Sequence, residues 1–168
     1  MALNIGKGKY LTYYNYQELE GIENVDFTSD IEEGDISTIK GEKVTFEKSR
    51  SVEAVLTFVD TSIANLKKIV PGAWLANAAL ITGQPAGNVV NNTEGAIALG
   101  RAANSTVLQK PLQFVPETGP DEHTITMFDA VATLTDFTIE DQVVKATVTV
   151  RCEATGIQVL KGGVTLIS

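Results

Sequence analysis

Carboxylates are the abundant reactive side chains of this sequence. It has 21 Asp+Glu against 13 Lys+Arg, a single cysteine (Cys152) and a single histidine (His123). One cysteine and one histidine make neither a disulfide within the chain nor a Cys/His zinc site. Cys-His catalysis needs Cys152 and His123 to meet, and Ser-His catalysis has one candidate base. The adjacent pairs Glu32-Glu33, Asp121-Glu122 and Glu140-Asp141 could serve acid/base chemistry. On a strand, however, neighbours point to opposite faces, so these read as solvated turn charges.

The stretch 18–35 carries Glu18, Glu20, Glu23, Asp26, Asp30, Glu32, Glu33 and Asp35, with no Lys or Arg. Hard cations take several carboxylates, but the spacing departs from the EF-hand loop. An extended negative surface is the simpler reading. Gly6-Lys7-Gly8-Lys9 lacks the phosphate-loop spacing and a following helix. Asn91-Asn92-Thr93 and Asn104-Ser105-Thr106 fit the glycosylation pattern, yet no secretory signal precedes them. His123 reads as a turn residue and Cys152 as a small buried one. Tyr13, Tyr14 and Tyr16 suit a stacking platform or an ordinary strand face. No catalytic, cofactor-binding or metal-ligating residue is assigned.

The 168 residues, 43% hydrophobic and 20% charged, suffice for one domain, 1–168, with a sizeable core. A net charge of -8 argues against a phosphate-neutralising nucleic-acid binder. The N-terminus lacks the apolar core of a signal peptide, and no apolar run reaches membrane-spanning length. A cytoplasmic site of synthesis is expected, with no membrane anchor.

The elements that must position these groups are mostly strands. Residues 9–16 are aromatic-rich. Ile22, Val25, Phe27 and Ile31 punctuate the acidic stretch, and Val44-Thr45-Phe46 is a short apolar piece. In 51–60, Val52, Ala54, Leu56 and Phe58 share one face. The period then changes. Asp60, Thr61 and Ser62 are good N-caps, and Ile63, Leu66, Ile69 and Val70 sit at helical spacing. Asn65, Lys67 and Lys68 are expected to face out, and Pro71-Gly72 ends a helix of about three turns over 61–70. Residues 82–105 read as a long loop holding a short strand at 96–99. Pro111 demotes 107–115 to an edge strand. Residues 124–134 and 143–152 are strands, and 157–167 is a last one interrupted by Gly162-Gly163. The result is mainly β: an antiparallel β-sandwich or barrel with one short α-helix packed on its flank.

The order of these segments resembles the bacteriophage tail tube (major tail) protein family. An N-terminal arm with Gly6-Lys7-Gly8-Lys9-Tyr10-Leu11 leads into a first strand. A second runs through Gly21-Ile22-Glu23-Asn24-Val25-Asp26-Phe27-Thr28. The acidic stretch continues through Ile31-Glu32-Glu33 to Lys40-Gly41-Glu42-Lys43. The strand ending Leu56-Thr57-Phe58-Val59-Asp60 is followed directly by the helix Thr61-Ser62-Ile63-Ala64-Asn65-Leu66. Strands around 127–134 and 143–153 match the family's closing hairpin.

The resemblance implies a virion structural protein, not an enzyme. Such proteins form rings, usually hexameric, that stack into a tube around a tape-measure protein, and the genome later passes through. Implied partners are further copies of the chain, the tape-measure protein, and tail initiator and terminator proteins. DNA passes without specific binding and no cofactor is needed. The expected location is the virion tail, assembled in the host bacterial cytoplasm. Three assembly elements follow: a long loop or hairpin over 31–48 (Ile31, Glu32, Glu33, Asp35, Ile39, Lys40, Lys43), the N-terminal arm 1–9 (Lys7, Lys9), and the C-terminal strand (Leu160, Lys161). In free subunits these are expected to be mobile. The alternatives are a head decoration or tail terminator protein, and a carbohydrate-binding β-sandwich using Trp74 and the tyrosines.

Overall fold

The computed structural model describes residues 9–37, 40, 41, 43–100, 108–117, 121–152 and 157–166, with backbone alone for 30–36, 43–50 and 121. Its strands are β1 (Tyr10–Tyr14), β2 (Gln17–Leu19), β3 (Ile22–Ser37), β4 (Lys43–Phe58), β5 (Trp74–Leu75), β6 (Ala96–Ile97), β7 (Lys110–Pro116), β8 (Ile125–Glu140), β9 (Val143–Cys152) and β10 (Val159–Lys161). One helix, α1 (Ile63–Ile69), follows β4, and short 3-10 turns cover Pro71–Ala73 and Asp121–His123. Every strand pairing among the described residues is antiparallel. The main sheet runs β2-β1-β7-β8-β9-β4-β3, with β10 added to β8, and β5-β6 forms a separate ribbon.

Alternation builds the core. Ala146, Val148 and Val150 of β9 point inward beside Val52, Ala54, Leu56 and Phe58 of β4, all buried. Each large aliphatic side chain removed from water this way contributes roughly 1.5–3 kcal/mol. Leu112 and Phe114 of β7, Met127 and Leu134 of β8, and Leu66 and Ile69 of α1 complete the cluster. The sheet winds round on itself. Phe27 of β3 meets Phe114 of β7 edge to face, with ring centroids 5.5 Å apart. The fold is thus an incompletely closed barrel rather than two separate sheets. Its seam lies between β3 and the β1-β7 pair.

The chain itself closes one end of that seam. Glu20 and Gly21 join β2, at one margin of the sheet, to β3, at the other. Asn65 of α1 holds this link. Its Oδ1 accepts from Glu20 N–H at 2.9 Å, and its Nδ2 donates to Glu20 O at 2.8 Å and Asp60 O at 2.9 Å. The amide thereby replaces a neighbouring strand. Asn65 is only 3% exposed, which corrects the outward orientation expected from the helical wheel. Its polarity is used inward, on backbone groups.

Gly21 is needed at the same place. Its φ is +67°, its carbonyl accepts from Val59 N–H at 2.7 Å, and an added Cβ would collide with Asp60, whose backbone nitrogen would lie 2.6 Å away. Gly21→Ala is expected to cost about 3 kcal/mol or more. Thermal unfolding should show the midpoint lowered by roughly 6–12 °C.

Several expectations are corrected. The helix spans 63–69, capped by Ser62, whose Oγ accepts from Asn65 N–H. It is shorter than the expected 61–70 because Val70 leaves helical geometry ahead of Pro71. Strand β7 is central, flanked by β1 and β8, although it contains Pro111. The proline sits at a register shift between Lys110 and Leu112, where no ladder donor is needed. Strand β8 continues six residues past the expected end at Leu134, through a bulge between Leu134 and Asp136. His123 closes a 3-10 turn and is buried.

Candidate assembly surfaces

The strand registers define two poles. At one, β3 and β4 continue beyond the body as a two-stranded ribbon. Strand β4 pairs with β9 only from Glu53 to Phe58, whereas its ladder with β3 runs on from Asp30↔Ser51 to Ser37↔Lys43. Eight residues of β3, 30–37, therefore have no third strand among the described residues, a reach of about 26 Å at ~3.3 Å per residue. A ribbon of two strands is marginal in water without a further partner.

Ile31, Glu32, Glu33 and Asp35 lie in this ribbon, opposite Arg50, Ser49, Glu47 and Thr45. Lys43 begins β4, and Lys40 is exposed in the connecting turn. Lys7 and Ile39 lie outside the described residues. Lys9 stands at the same pole, its carbonyl accepting from Glu117 N–H at 2.8 Å. So does Lys161, whose Nζ donates to Glu122 O at 3.1 Å. Leu160 is half-buried, and the β10 backbone from Val159 to Lys161 pairs within the chain with β8. The described candidates therefore gather at one pole. The opposite pole carries the two-residue β8–β9 turn, Asp141 and Gln142, both at positive φ as a hairpin of this length requires.

The outer face of β8-β9-β4-β3 is polar and small. Thr57 of β4 stands opposite Thr147 of β9, and Thr149 opposite Thr133 of β8. Thr135 donates to Thr147 O at 3.2 Å and lies 3.2 Å from the Thr149 hydroxyl. Five carboxylates, Glu23, Asp26, Glu53, Asp136 and Glu140, share this face with two cations, Lys145 and Arg151, as the registers place them. Arg151 Nε meets Glu53 at 2.9 Å. Lys145 Nζ meets Glu23 at 3.1 Å and Glu140 at 3.6 Å. The hydrogen bond to Glu23 is the chief reason the Lys145 ammonium titrates above its ordinary value; desolvation opposes it, and the charges of Glu23 and Glu140 reinforce it. With both cations paired, the face is left net negative.

Each margin of this four-stranded unit has an open stretch. No described strand pairs with the outer edge of β3, nor with β8 beyond Leu134 on the side away from β9. Free backbone edges of this length are templates for another chain.

Trp74 and the tyrosines expected to form a stacking platform do not converge. Tyr14 is in the core, its hydroxyl donating to Ala130 O at 3.0 Å. Trp74 lies on the small ribbon, with Lys67 Nζ 3.5 Å above its ring and its Nε1 donating to Glu94 O at 2.9 Å. Gly95 packs so closely on Trp74 that a Cβ would overlap its indole nitrogen. Tyr16 is exposed in the β1–β2 turn. The seam is a cleft of about 490 Å³ lined by Tyr10, Ile22, Val25, Phe27, Phe114 and Ile125 among others. Among the described residues, no three His, Cys, Asp or Glu side chains come together as a metal site.

Sequence reasoning missed the open margins and the apolar β8–β9 tip. Alternation does persist beyond Leu134, in Phe137 and Ile139 opposite Ala146 and Val144, which was the available signal.

No family profile matches this chain, and no curated protein matches it by sequence. Solved structures do match. The sheath/tube terminator of an extracellular contractile injection system, PVC, in its extended state is 9% identical over 91% of this chain and 95% of its own, with a TM-score of 0.47. The tube terminating cap of the anti-feeding prophage is 8% identical, covering 95% and 93%, with a TM-score of 0.49. A chain of the PVC sheath-tube complex in the extended state is 6% identical, covering 87% and 85%, with a TM-score of 0.46. At these identities and TM-scores the likenesses carry no argument about what this chain does.

Proposed function

We propose that this chain is a non-enzymatic tail structural protein that assembles with copies of itself into rings, and that the rings stack into a tail tube. The observation that carries this reading is the four-stranded β8-β9-β4-β3 unit, whose β3 edge and whose β8 edge beyond Leu134 pair with no described strand. Pairing the β3 edge of one copy with the β8 edge of the next extends the sheet, and a constant turn at each junction closes it into a ring. With six copies, the number implied by the resemblance, 24 strands at ~4.8 Å spacing give a circumference of about 115 Å. The backbone diameter is then about 37 Å before strand tilt widens it, enough to pass a DNA duplex.

In this reading the threonine-rich face lines the channel. Its small side chains keep the bore open, and its excess carboxylates repel a sliding polyanion. Partners are then further copies, a tape-measure protein, and initiator and terminator proteins at the tube ends. The place of action is the virion tail after assembly in the host cell. Deletion of the β3–β4 ribbon is the direct genetic test, developed below.

Both open margins carry carboxylates: Glu23 and Asp26 on β3, Asp136 and Glu140 on β8. Joining them brings like charges together. Raising ionic strength from roughly 0.01 to 0.15 M shortens the Debye length from about 30 to 8 Å and should lower the concentration at which assembly begins. Sedimentation velocity across a concentration series measures this. Growth without limit supports a tube, whereas arrest at one ring size supports a terminator.

A further inference from the structure

Resting on that reading, we infer that the seam cleft is a strand-accepting socket, and that residues 135–140 of a second copy's β8 fill it with Phe137 and Ile139. The cleft of about 490 Å³ separates two margins of one sheet. On one side Ile22, Val25 and Phe27 of β3 continue the core-facing row, opposite Phe58, Leu56 and Ala54 of β4. On the other stand Tyr10 of β1 and Phe114 of β7. Phe27 is 43% exposed and Tyr10 38%, apolar surface that the chain's own residues leave wet. The body half of β3, from Ile22 to Ser29, also keeps its outer backbone edge free among the described residues. Such a groove takes an extended segment with a free edge of its own and apolar side chains two residues apart on its core-facing side.

The distal half of β8 meets each requirement. Beyond Leu134 its edge away from β9 pairs with no described strand. Phe137 and Ile139 lie on the core-facing side, opposite Ala146 and Val144, and are 38% and 77% exposed. Direction agrees, because β3 and β8 run opposite ways across the unit and their junction continues the antiparallel pattern. Height agrees as well. Ile22 pairs with Phe58, Phe58 with Ala146 and Ala146 with Phe137, one row across four strands. A rotation that sets one copy beside the next therefore brings Phe137 level with Ile22. Gly21 turns the chain away toward β2, so strand tilt can slide the incoming strand only toward Val25 and Phe27, further along the cleft. Within one copy β3 and β8 stand three strand spacings apart, about 14 Å along the sheet, so the occupant is a second copy. On the outer face Asp136 and Glu140 then approach Glu23 and Asp26, so apolar burial drives the docking and charge resists it.

A synthetic peptide of residues 134–141, dye-labelled at its N-terminus, tests the socket apart from any ring. Added to the full-length chain below the concentration at which assembly begins, it should bind saturably by fluorescence anisotropy. The same peptide carrying Phe137→Ser and Ile139→Ser should bind at least tenfold more weakly, and so should the unaltered peptide to the Phe27→Ser chain. Binding should tighten as ionic strength rises from about 0.01 to 0.15 M, because the contact is apolar and the flanking charges are alike. In the full-length chain, Ile139→Ser, a neutral change at an exposed position, should raise the ring-forming concentration at least tenfold. No saturable binding, equal binding of the substituted peptide, or unimpaired rings from the Ile139→Ser chain would overturn the inference. Rings from the wild-type chain would then leave the tube reading standing without it. Peptide binding with these preferences by a chain that never forms rings would support the socket and overturn the ring reading.

Discussion

Replacing Asn65 by alanine should destabilise the fold by about 3–4 kcal/mol, as much as a core truncation. Three hydrogen bonds disappear together, and Glu20 loses partners for both its N–H and its carbonyl. Each part-buried backbone group left unpaired costs about 1–3 kcal/mol. The effect reaches beyond the helix, because Glu20 and Gly21 hold the two margins of the sheet together. Denaturant unfolding of the variant should show a midpoint shift with little change in slope.

Asn65→Asp separates hydrogen bonding from size. A carboxylate still accepts from Glu20 N–H, but it faces the Glu20 and Asp60 carbonyls with no proton to donate. The buried acid should titrate above the ordinary carboxylate range, because repulsion and desolvation disfavour its charge. Its folded state then binds a proton that its unfolded state releases. Stability should fall as pH rises from about 5 to 7, a dependence that Asn65→Ala lacks. Equal stability of both variants and wild type would remove Asn65 from its assigned role.

Trimming the β3–β4 ribbon should abolish stacking while sparing the body. Asp30 and Ser51 are opposed across the ladder, so residues 31–50 can be replaced by Asn-Gly, which favours a two-residue hairpin turn. The β4–β9 ladder begins only at Glu53, and the core lies beyond it, so the variant should fold and unfold cooperatively. Its tube-forming concentration should rise at least tenfold, equivalent to about 1.4 kcal/mol or more of lost contact. Undiminished tube formation by the trimmed chain would show that the ribbon has no part in stacking.

The parts of the fold legible in the sequence are those where one face is buried and the other wet. Strand β9 and the body half of β4 alternate cleanly because their inner residues meet the core and their outer residues meet water. Ser62 was readable as a cap because a hydroxyl before a helical apolar pattern satisfies a free N–H. Strand β3 was legible in its body half, through Ile22, Val25 and Phe27, but its continuation to Ser37 was not. Carboxylates are depleted in strands, and the ribbon half of β3 has no described third strand beside it, so the acidic run gave no plain strand signal there. Pro111 misled because the rule against proline in central strands does not apply at a register shift. Asn65 misled because an amide serving two backbone groups looks, in sequence, like any polar residue on the wet side of a helix.

The candidate surfaces were legible in part. The charged residues between Ile31 and Lys43 were singled out, and they lie around the ribbon that leaves the body. The threonine face was not, because Thr57, Thr133, Thr135, Thr147 and Thr149 come from three strands and become neighbours only through register. The apolar tip was overlooked because Phe137 and Ile139 look like core residues until the ladder shows that nothing in the described chain covers them.

The central claim is that the open four-stranded unit closes into a ring around a channel. Negative-stain electron microscopy of the purified chain at rising concentration and about 0.15 M salt tests it most directly. Hollow rings or tubes of uniform width, with a central channel of about 30–40 Å, are the predicted result. A chain that stays monomeric throughout, or that gathers into particles with no channel, would contradict it.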